Sequence, residues 1–241
     1  MKRVLAGPRA VEEALRANAR SVHAVFVADD GGAPGKRVSD LARAAGISVE
    51  SRSAAALDSL ANGLRHQGVL ALAGDYPYRS LDELLASAEA PGLLVLCDGI
   101  EDPQNLGAIL RAAVFFGAGG VVLPRHRAAP VTGAAVRASA GASEHARVAR
   151  VTNLADAVVQ VGENGYATIV LAADGQARLN DLDLRGPVAL VVGSEHSGVR
   201  PLVRRRAATA ARITGAATVA SLNAAAATAV ALHEVVRQRE A

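Results

Sequence analysis

Cysteine and aromatic residues are scarce in this 241-residue sequence. A single cysteine, Cys97, excludes a disulfide and a thiolate zinc site within one chain, so we predict no metal and expect a reducing, cytoplasmic environment. Tryptophan is absent, and three tyrosines with three phenylalanines are too few for a sheet that stacks nucleic-acid bases on aromatic rings. Any nucleic acid must therefore be held by other groups.

Long apolar runs are also missing. The longest, residues 90–97 and 188–192, are much shorter than a helix that spans a bilayer. Charged side chains interrupt the first twenty residues, so no export signal is predicted. We therefore expect no membrane partner.

Lysine is rare as well, because only Lys2 and Lys36 are lysines among the 26 basic residues. The arginine guanidinium is a planar fork that suits phosphate. A genome rich in G and C would produce the same preference, and the net charge is only +3. The basic residues alone therefore do not distinguish a nucleic-acid-binding protein from other classes.

Apolar runs rich in Val, Ile and Leu alternate with alanine-rich helical patterns, which predicts an α/β fold with a mostly parallel sheet. Residues 1–74 are predicted to form a small α/β domain, 75–91 a linker and 92–241 a larger domain. The larger domain has predicted strands near residues 93–97, 120–123, 167–172, 188–192 and 211–214.

Polar segments follow three of these strands, where open parallel sheets bind ligands. In the first, Asn105 stands at a predicted helix N-cap, and Arg111 lies inside that helix among apolar neighbours, where an arginine needs an anion. The alternative is a capped helix whose arginine pairs with an internal carboxylate.

The other two segments are weaker indications when taken singly. Glu195 lies in a glycine-flanked turn, and its alternative role is to cap the next helix. Ser221 and Asn223 precede a long helix, which they can simply cap. All three segments follow strands of one predicted sheet, and this coincidence favours a common site.

At these residues the chain resembles the SpoU family, also called the TrmH family, of the SPOUT superfamily of RNA ribose methyltransferases. Asp-Pro-x-Asn-Leu-Gly-Ala-x-x-Arg at 102–111 is similar to the first motif of the family, Gly-x-Glu at 193–195 to the second and Ser-Leu-Asn at 221–223 to the third. His66-Gln67-Gly68-Val69, with Gly7 near the start, resembles the small RNA substrate-binding domain of bacterial 23S rRNA guanosine 2′-O-methyltransferases, which implies this role for residues 1–74. This leader favours 23S rRNA over tRNA as the substrate.

The resemblance implies a parallel sheet with a deep trefoil knot, a homodimer, and S-adenosylmethionine as methyl donor. It also implies the residues of the site. The catalytic group would be Arg111, Asn105, Glu195, Ser221 and Asn223, and the donor would be bound near Ala172, Gly193, Ile213 and Leu222.

One departure from the family lies around the third motif. Thr214, Gly215 and Ala217 interrupt the usual Ile-Pro-Met-x-Gly, and Ala224-Ala225 replaces Val-Ser. In the family, this proline and this glycine shape the loop around the donor's adenine. Their replacement here can therefore weaken donor binding. A non-catalytic or weakly donor-binding RNA-binding homologue is therefore one alternative, and a tRNA or antibiotic-resistance rRNA 2′-O-methyltransferase is another.

Arg111 is the predicted stabiliser of the reacting ribose oxygen. A guanidinium resists deprotonation, so we expect it to pair with RNA phosphate and the developing alkoxide rather than act as a base. His66, Arg125 and Arg127 are candidate RNA contacts, although a turn or a solvated loop would use the same residues.

Two other enzyme classes are disfavoured. The glycines at 117–120 follow a predicted helix and precede a strand, the reverse of the order in a dinucleotide-binding fingerprint. No Gly-x-Ser-x-Gly elbow of a serine hydrolase occurs.

Overall fold

The computed structural model describes residues 3–87, 92–216 and 221–240. The strands are β1 (Arg3–Ala6), β2 (Val22–Ala28), β3 (Val49–Arg52), β4 (Val69–Ala73), β5 (Leu93–Asp98), β6 (Gly120–Pro124), β7 (Val148–Val151), β8 (Ala167–Leu171), β9 (Ala177–Arg178), β10 (Val188–Gly193) and β11 (Thr209–Arg212). The helices are α1 (Pro8–Asn18), α2 (Gly32–Ala44), α3 (Ala54–Ala61), α4 (Leu81–Ala86), α5 (Pro103–Phe115), α6 (Gly133–Ala138), α7 (Leu154–Glu163), α8 (Pro201–Arg206) and α9 (Ala224–Glu240). In these ranges no helix is long and apolar enough to cross a bilayer.

The chain forms two compact units, and the division differs from the predicted one. The small unit comprises Met1–Pro77 and Pro130–His145, and the large unit comprises Tyr78–Ala129 and Ala146–Ala241. Residues 130–145 were predicted to be part of the larger domain, but they belong to the small unit. Most of the predicted linker that the structure describes belongs to the large unit, where Arg79 forms a bridge with Ala149 beside β7. Residues 88–91 of that linker lie outside the described ranges.

The small unit is a four-stranded sheet in the order β1-β4-β2-β3, in which only β2 and β3 run parallel. Leu5, Val25 and Leu57 are fully buried in it. Residues 130–145 are fixed to it by an ion pair of 2.6 Å between Arg3 Nη1 and Glu144 Oε1, whose side chains are 6% and 3% exposed. A buried charge needs such a partner, so this pair ties the segment to the first strand.

The large unit is a seven-stranded sheet in the order β7-β6-β5-β10-β8-β11-β9, and every pairing in it is parallel. The predicted α/β class and parallel sheet are therefore confirmed. β5 and β10 are neighbours and are buried along their whole length, as strands covered on both faces must be. The trefoil knot stays a prediction.

The strand order determines where a ligand can bind. From β5 the chain continues outward to β6 and β7, whereas β10 lies between β5 and β8. The connections therefore depart in opposite directions at the β5–β10 pair. Crevices of parallel sheets open at the carboxyl ends of strands at such a switch point.

Candidate active site

Two cavities open at the carboxyl ends of β5 and β10 and share one wall. Cavity A, about 630 Å³, is lined by the loop after β5, the start of α5 and the turn after β10. Cavity B, about 970 Å³, is lined by that same turn and by the ends of β8 and β11. The turn at residues 194–198 includes Glu195 and lines both cavities. Two ligands bound side by side would therefore meet at Glu195.

The helix that carries Asn105 is capped by another residue, so the predicted N-cap was wrong. Asp102 is the N-cap of α5, and its carboxylate accepts from the backbone N–H groups of Gln104 and Asn105 at 3.0 and 3.3 Å. Pro103 occupies the first helical position. Proline suits this position because a backbone N–H there would have no acceptor within the helix. The side chain of Asn105 is therefore available for other contacts.

Asn105 connects the three predicted segments. Its Nδ2 donates to Glu195 Oε1 at 2.9 Å, and its Oδ1 accepts from Asn223 Nδ2 at 3.4 Å. Asn223 also accepts from the Ala226 N–H at 2.7 Å, so it caps α9 as well. Ser221, two residues earlier, is exposed and lines cavity B. Four of the five predicted catalytic residues thus lie around the common wall.

The Glu195 turn is fixed by its own hydrogen bonds. Gly198 N–H donates to the Ser194 carbonyl at 2.9 Å, and the Ser194 and Ser197 hydroxyls are 2.7 Å apart. A Cβ added to Gly193 would overlap the backbone of Gly198, so glycine is required at that position. Glu195 does not cap α8, because the N-cap of that helix is Arg200 and it has no side-chain capping bond.

An ion pair between a buried carboxylate and a partly exposed arginine anchors the end of this turn. Asp98, 1% exposed at the end of β5, accepts from the Arg200 backbone N–H at 2.8 Å and from its Nε at 2.7 Å. A buried carboxylate costs free energy unless it is paired in this way. Sequence reasoning missed both residues, although an acidic residue directly after a buried strand was the available indication.

Cavity B contains every residue predicted to bind S-adenosylmethionine. These residues are Ala172, Gly193, Ile213 and Leu222. Gly175 fixes one wall, because its N–H donates to the Ala172 carbonyl at 3.0 Å and its α-carbon is packed against Ala211. Arg212 Nη1 donates to the Gly175 carbonyl at 2.6 Å. Small residues thus let backbone groups approach a ligand closely.

The departures from the family pattern flank the same cavity. Thr214 and Gly215 line it, and the Thr214 hydroxyl donates to Asn180 Oδ1 at 3.4 Å. Ala224 and Ala225 are buried at the start of α9. Ala217 lies outside the described residues. Cavity B is therefore present although the described residues Thr214, Gly215, Ala224 and Ala225 differ from the family pattern.

Arg111 is not brought to this group within one chain. It is exposed on α5 and lines neither cavity, which contradicts the expected apolar surroundings. With the residues described, its guanidinium forms no hydrogen bond or ion pair. Phe115, one helical turn further on the same face, is 80% exposed. The pattern of apolar neighbours was misleading because they belong to the opposite face.

The three predicted RNA contacts occupy different places. Arg127 lines cavity A, and Arg125 lines a third cavity, cavity C. Both ring nitrogens of His66 are used inside the small unit, since Nδ1 accepts from the Gly68 N–H at 3.0 Å and Nε2 is 2.9 Å from Asp58 Oδ1. These bonds give His66 a role in closing a turn, and its RNA contact stays a prediction. Among the residues described, no cluster of His, Cys, Asp and Glu could hold a metal ion.

Two family models match the chain over most of its length. Residues 92–233 match the SpoU rRNA Methylase family, and residues 4–79 match the RNA 2′-O ribose methyltransferase substrate-binding family. A relative from Mycobacterium sp. (strain KMS), described as an uncharacterized tRNA/rRNA methyltransferase, is 41% identical over 239 residues. The alignment covers 97% of this chain and 76% of the relative.

Solved structures with the same fold include two methyltransferases. The SpoU methyltransferase AviRb from Streptomyces viridochromogenes is 25% identical with a TM-score of 0.84, and the match covers 99% of this chain and 90% of that one. An AdoMet-bound rRNA methyltransferase from Sinorhizobium meliloti is also 25% identical, with a TM-score of 0.81 and coverage of 98% and 87%.

Proposed function

Because this chain belongs to the SpoU rRNA methylase family and is an S-adenosylmethionine-dependent RNA 2′-O-ribose methyltransferase, we propose that it methylates a guanosine of 23S ribosomal RNA. The observation that carries the proposal is the Glu195 turn, which is one wall of cavity A and one wall of cavity B. Methyl transfer needs donor and acceptor in line and in contact, and a shared wall allows this.

Cavity B has the size and chemistry to hold the donor. Its 970 Å³ lies within the range of small-molecule sites, and its lining combines backbone groups with the apolar side chains of Ile213 and Leu222. S-adenosylmethionine supplies an electrophilic methyl group on a positively charged sulfur. The carboxylate of Glu195 lies on the wall where that charge would be favoured.

Cavity A would hold the acceptor nucleotide. Asn105 and Glu195 line cavity A and are joined by a hydrogen bond of 2.9 Å. Neither side chain therefore needs to reorganise when a ribose enters. Arg127 lines the same cavity and would neutralise RNA phosphate. The substrate-binding match at residues 4–79 supports an RNA substrate, and the choice of a guanosine in 23S rRNA rests on the family resemblance of the motif around His66.

A homodimer accounts for the position of Arg111. The face of α5 that carries Arg111 also carries Phe115, which is 80% exposed. A large apolar side chain exposed to this extent favours burial against a partner surface. A second copy on this face would place Arg111 at the boundary of two catalytic domains, beside RNA bound there. The guanidinium would then stabilise the alkoxide and the neighbouring phosphate.

Methylation of ribosomal RNA tests the proposal. We expect the protein to transfer tritiated methyl groups from S-adenosylmethionine to 23S rRNA from a strain lacking the gene, at a ribose that is unmodified in that strain. Arg111→Ala should lower the rate by about two orders of magnitude or more and leave donor affinity unchanged in calorimetry. Arg185→Ala, an exposed arginine before β10, is the control. A wild-type rate in Arg111→Ala would refute its role.

The same experiment separates the alternatives. A protein that binds RNA but gives no calorimetric signal with S-adenosylmethionine would be the non-catalytic homologue. Methylation of tRNA in place of 23S rRNA would overturn the substrate assignment. Mapping of 2′-O-methyl groups in cells with and without the gene would distinguish a housekeeping position from one that protects the ribosome against an antibiotic.

A further inference from the structure

A third cavity in the large unit carries a concentration of arginine. Cavity C, about 510 Å³, lies at the carboxyl ends of β6 and β7, beside the amino end of α7. Its lining includes Arg79, Arg125 and Arg150 with one carboxylate, Asp156. That carboxylate accepts from Asn153 Nδ2 at 2.6 Å. The net charge around the cavity is positive, which favours an anionic ligand.

Unlike the arginines of the surface ion pairs, the three arginines of cavity C form no ion pair with a carboxylate of the described residues. Arg150 is held in place, because its Nη2 donates to the Arg125 carbonyl at 2.9 Å and its guanidinium carbon lies 4.9 Å from the centre of the Tyr78 ring. Within the described ranges, the guanidinium groups of Arg79 and Arg125 form no hydrogen bond or ion pair. Arg79 is close enough to interact coulombically with the exposed carboxylate of Glu83, but within the described ranges no carboxylate accepts a hydrogen bond from Arg79 or Arg125, so both forked donors are available to a ligand.

A short loop joins cavity C to cavity A. Arg125 lines cavity C and Arg127 lines cavity A, and only one residue separates them. Two residues of extended chain span at most about 7 Å. Arg127 has a positive φ of 58°, so the backbone turns sharply between the two cavities. Both cavities open at the same edge of the parallel sheet, where β5, β6 and β7 are consecutive neighbours.

We propose that cavity C binds the phosphate backbone of an RNA nucleotide close to the one that is methylated. The strand would pass from cavity A over the loop at 125–127, with one phosphate near Arg127 and a later one between Arg79 and Arg150. The stacked Tyr78–Arg150 pair offers an apolar edge to the adjacent sugar or base. This inference rests on the proposed function in taking RNA as the ligand and cavity A as the place of the methylated nucleotide.

The test measures RNA affinity as a function of salt concentration. The probe is a fluorescein-labelled, single-stranded RNA of about 12 nucleotides and mixed sequence, followed by anisotropy between about 50 and about 200 mM salt. Each lost phosphate contact to a single strand lowers the salt slope by about 0.7. The double variant Arg79→Gln/Arg150→Gln should therefore lower the slope by about 1.4 and weaken binding about tenfold.

Matched variants keep the test interpretable. Arg185→Gln removes one positive charge, as Arg79→Gln alone does, at the amino-terminal side of β10 and away from the cavities, and should bind RNA like the wild type. Arg79→Gln alone changes an exposed side chain without a described hydrogen bond, so it reports on the cavity if the Arg150 substitution disturbs folding. S-adenosylmethionine affinity should be the same in all variants.

The outcomes separate this inference from the proposed function. If the wild type methylates rRNA and the double variant binds RNA like Arg185→Gln, the inference is overturned and the function stands. If the wild type methylates no RNA but the double variant loses RNA affinity, cavity C still binds RNA phosphate, whereas the proposed function and the neighbouring methylated nucleotide are overturned. Binding of inorganic phosphate that the double variant abolishes, with RNA affinity unchanged, would make cavity C a free-anion site and would overturn the proposal.

Discussion

Replacing Gly175 with alanine would push the turn after β8 away from β11 in the wall of the donor cavity. A Cβ at this position would lie 2.6 Å from the Ala211 carbonyl carbon and 2.8 Å from the Arg212 nitrogen. Carbon atoms pack at about 3.5–4.0 Å, so backbone atoms on one side must move by about 1 Å. The neighbours are main chain of β11, which cannot rotate aside as a flexible side chain can.

The displacement has two measurable costs. Overpacking of this kind typically costs about 1–3 kcal/mol, which lowers Tm by roughly 2–12 °C for a unit of this size. The donor site should also weaken, because Ala172 lies on one side of the wedge and Ile213 on the other. Loss of one backbone hydrogen bond to the donor is worth about 1.4 kcal/mol, and we expect a Kd about tenfold higher.

Scanning calorimetry and titration with S-adenosylmethionine check both values. Gly186→Ala is the matched control, because an added Cβ there meets no atom within 4 Å. It should leave Tm and donor affinity unchanged. If Gly175→Ala behaved like Gly186→Ala in both assays, the close packing of the turn after β8 against β11 would be disproved, and with it the assignment of cavity B.

Two further predictions concern the surface of α5 and the end of β5. Phe115→Asp should convert a dimer into a monomer in sedimentation velocity, since it places a charge on the exposed apolar face; a wild-type sedimentation coefficient would argue against that interface. Burial, with a smaller contribution from the charge of Asp98, raises the pKa of Cys97 to about 12, so at pH 8 its thiolate is about a thousandfold rarer than for a pKa of 9. A thiol reagent should label Cys97 only after unfolding, and the free energy of unfolding should fall as the pH rises from about 9 towards 12; rapid labelling of native protein would contradict this burial.

Much of the architecture follows from the sequence because parallel strands have a simple composition. Short apolar runs such as 93–97 and 188–192 have the length and composition of central strands, and the polar residues after parallel strands meet at one edge of the sheet. This geometric rule is enough to bring Asn105 close to Glu195, although 90 residues separate them. The contact needed no knowledge of the intervening helices.

The errors concern choices that local sequence does not decide. Asp102 and Asn105 are both good N-caps, and only the position of Pro103 favours the first of them. The exposure of Arg111 depends on which face of α5 turns inward, and the residues around it include both apolar and small side chains. The membership of residues 130–145 depends on a long-range ion pair between Arg3 and Glu144, for which neither partner gives a local indication.

The discontinuous composition of the small unit has a consequence for biosynthesis. Its sheet is complete once Ala73 has been made, yet Val131 and Val136 supply buried side chains from a segment that emerges more than fifty residues later. During translation, part of the core of the nascent small unit therefore stays exposed to solvent while β5 and β6 are synthesised. The hydrophobic core of the small unit is therefore completed only after synthesis of the second sheet has begun. Folding of the small unit and of the large unit overlaps in time.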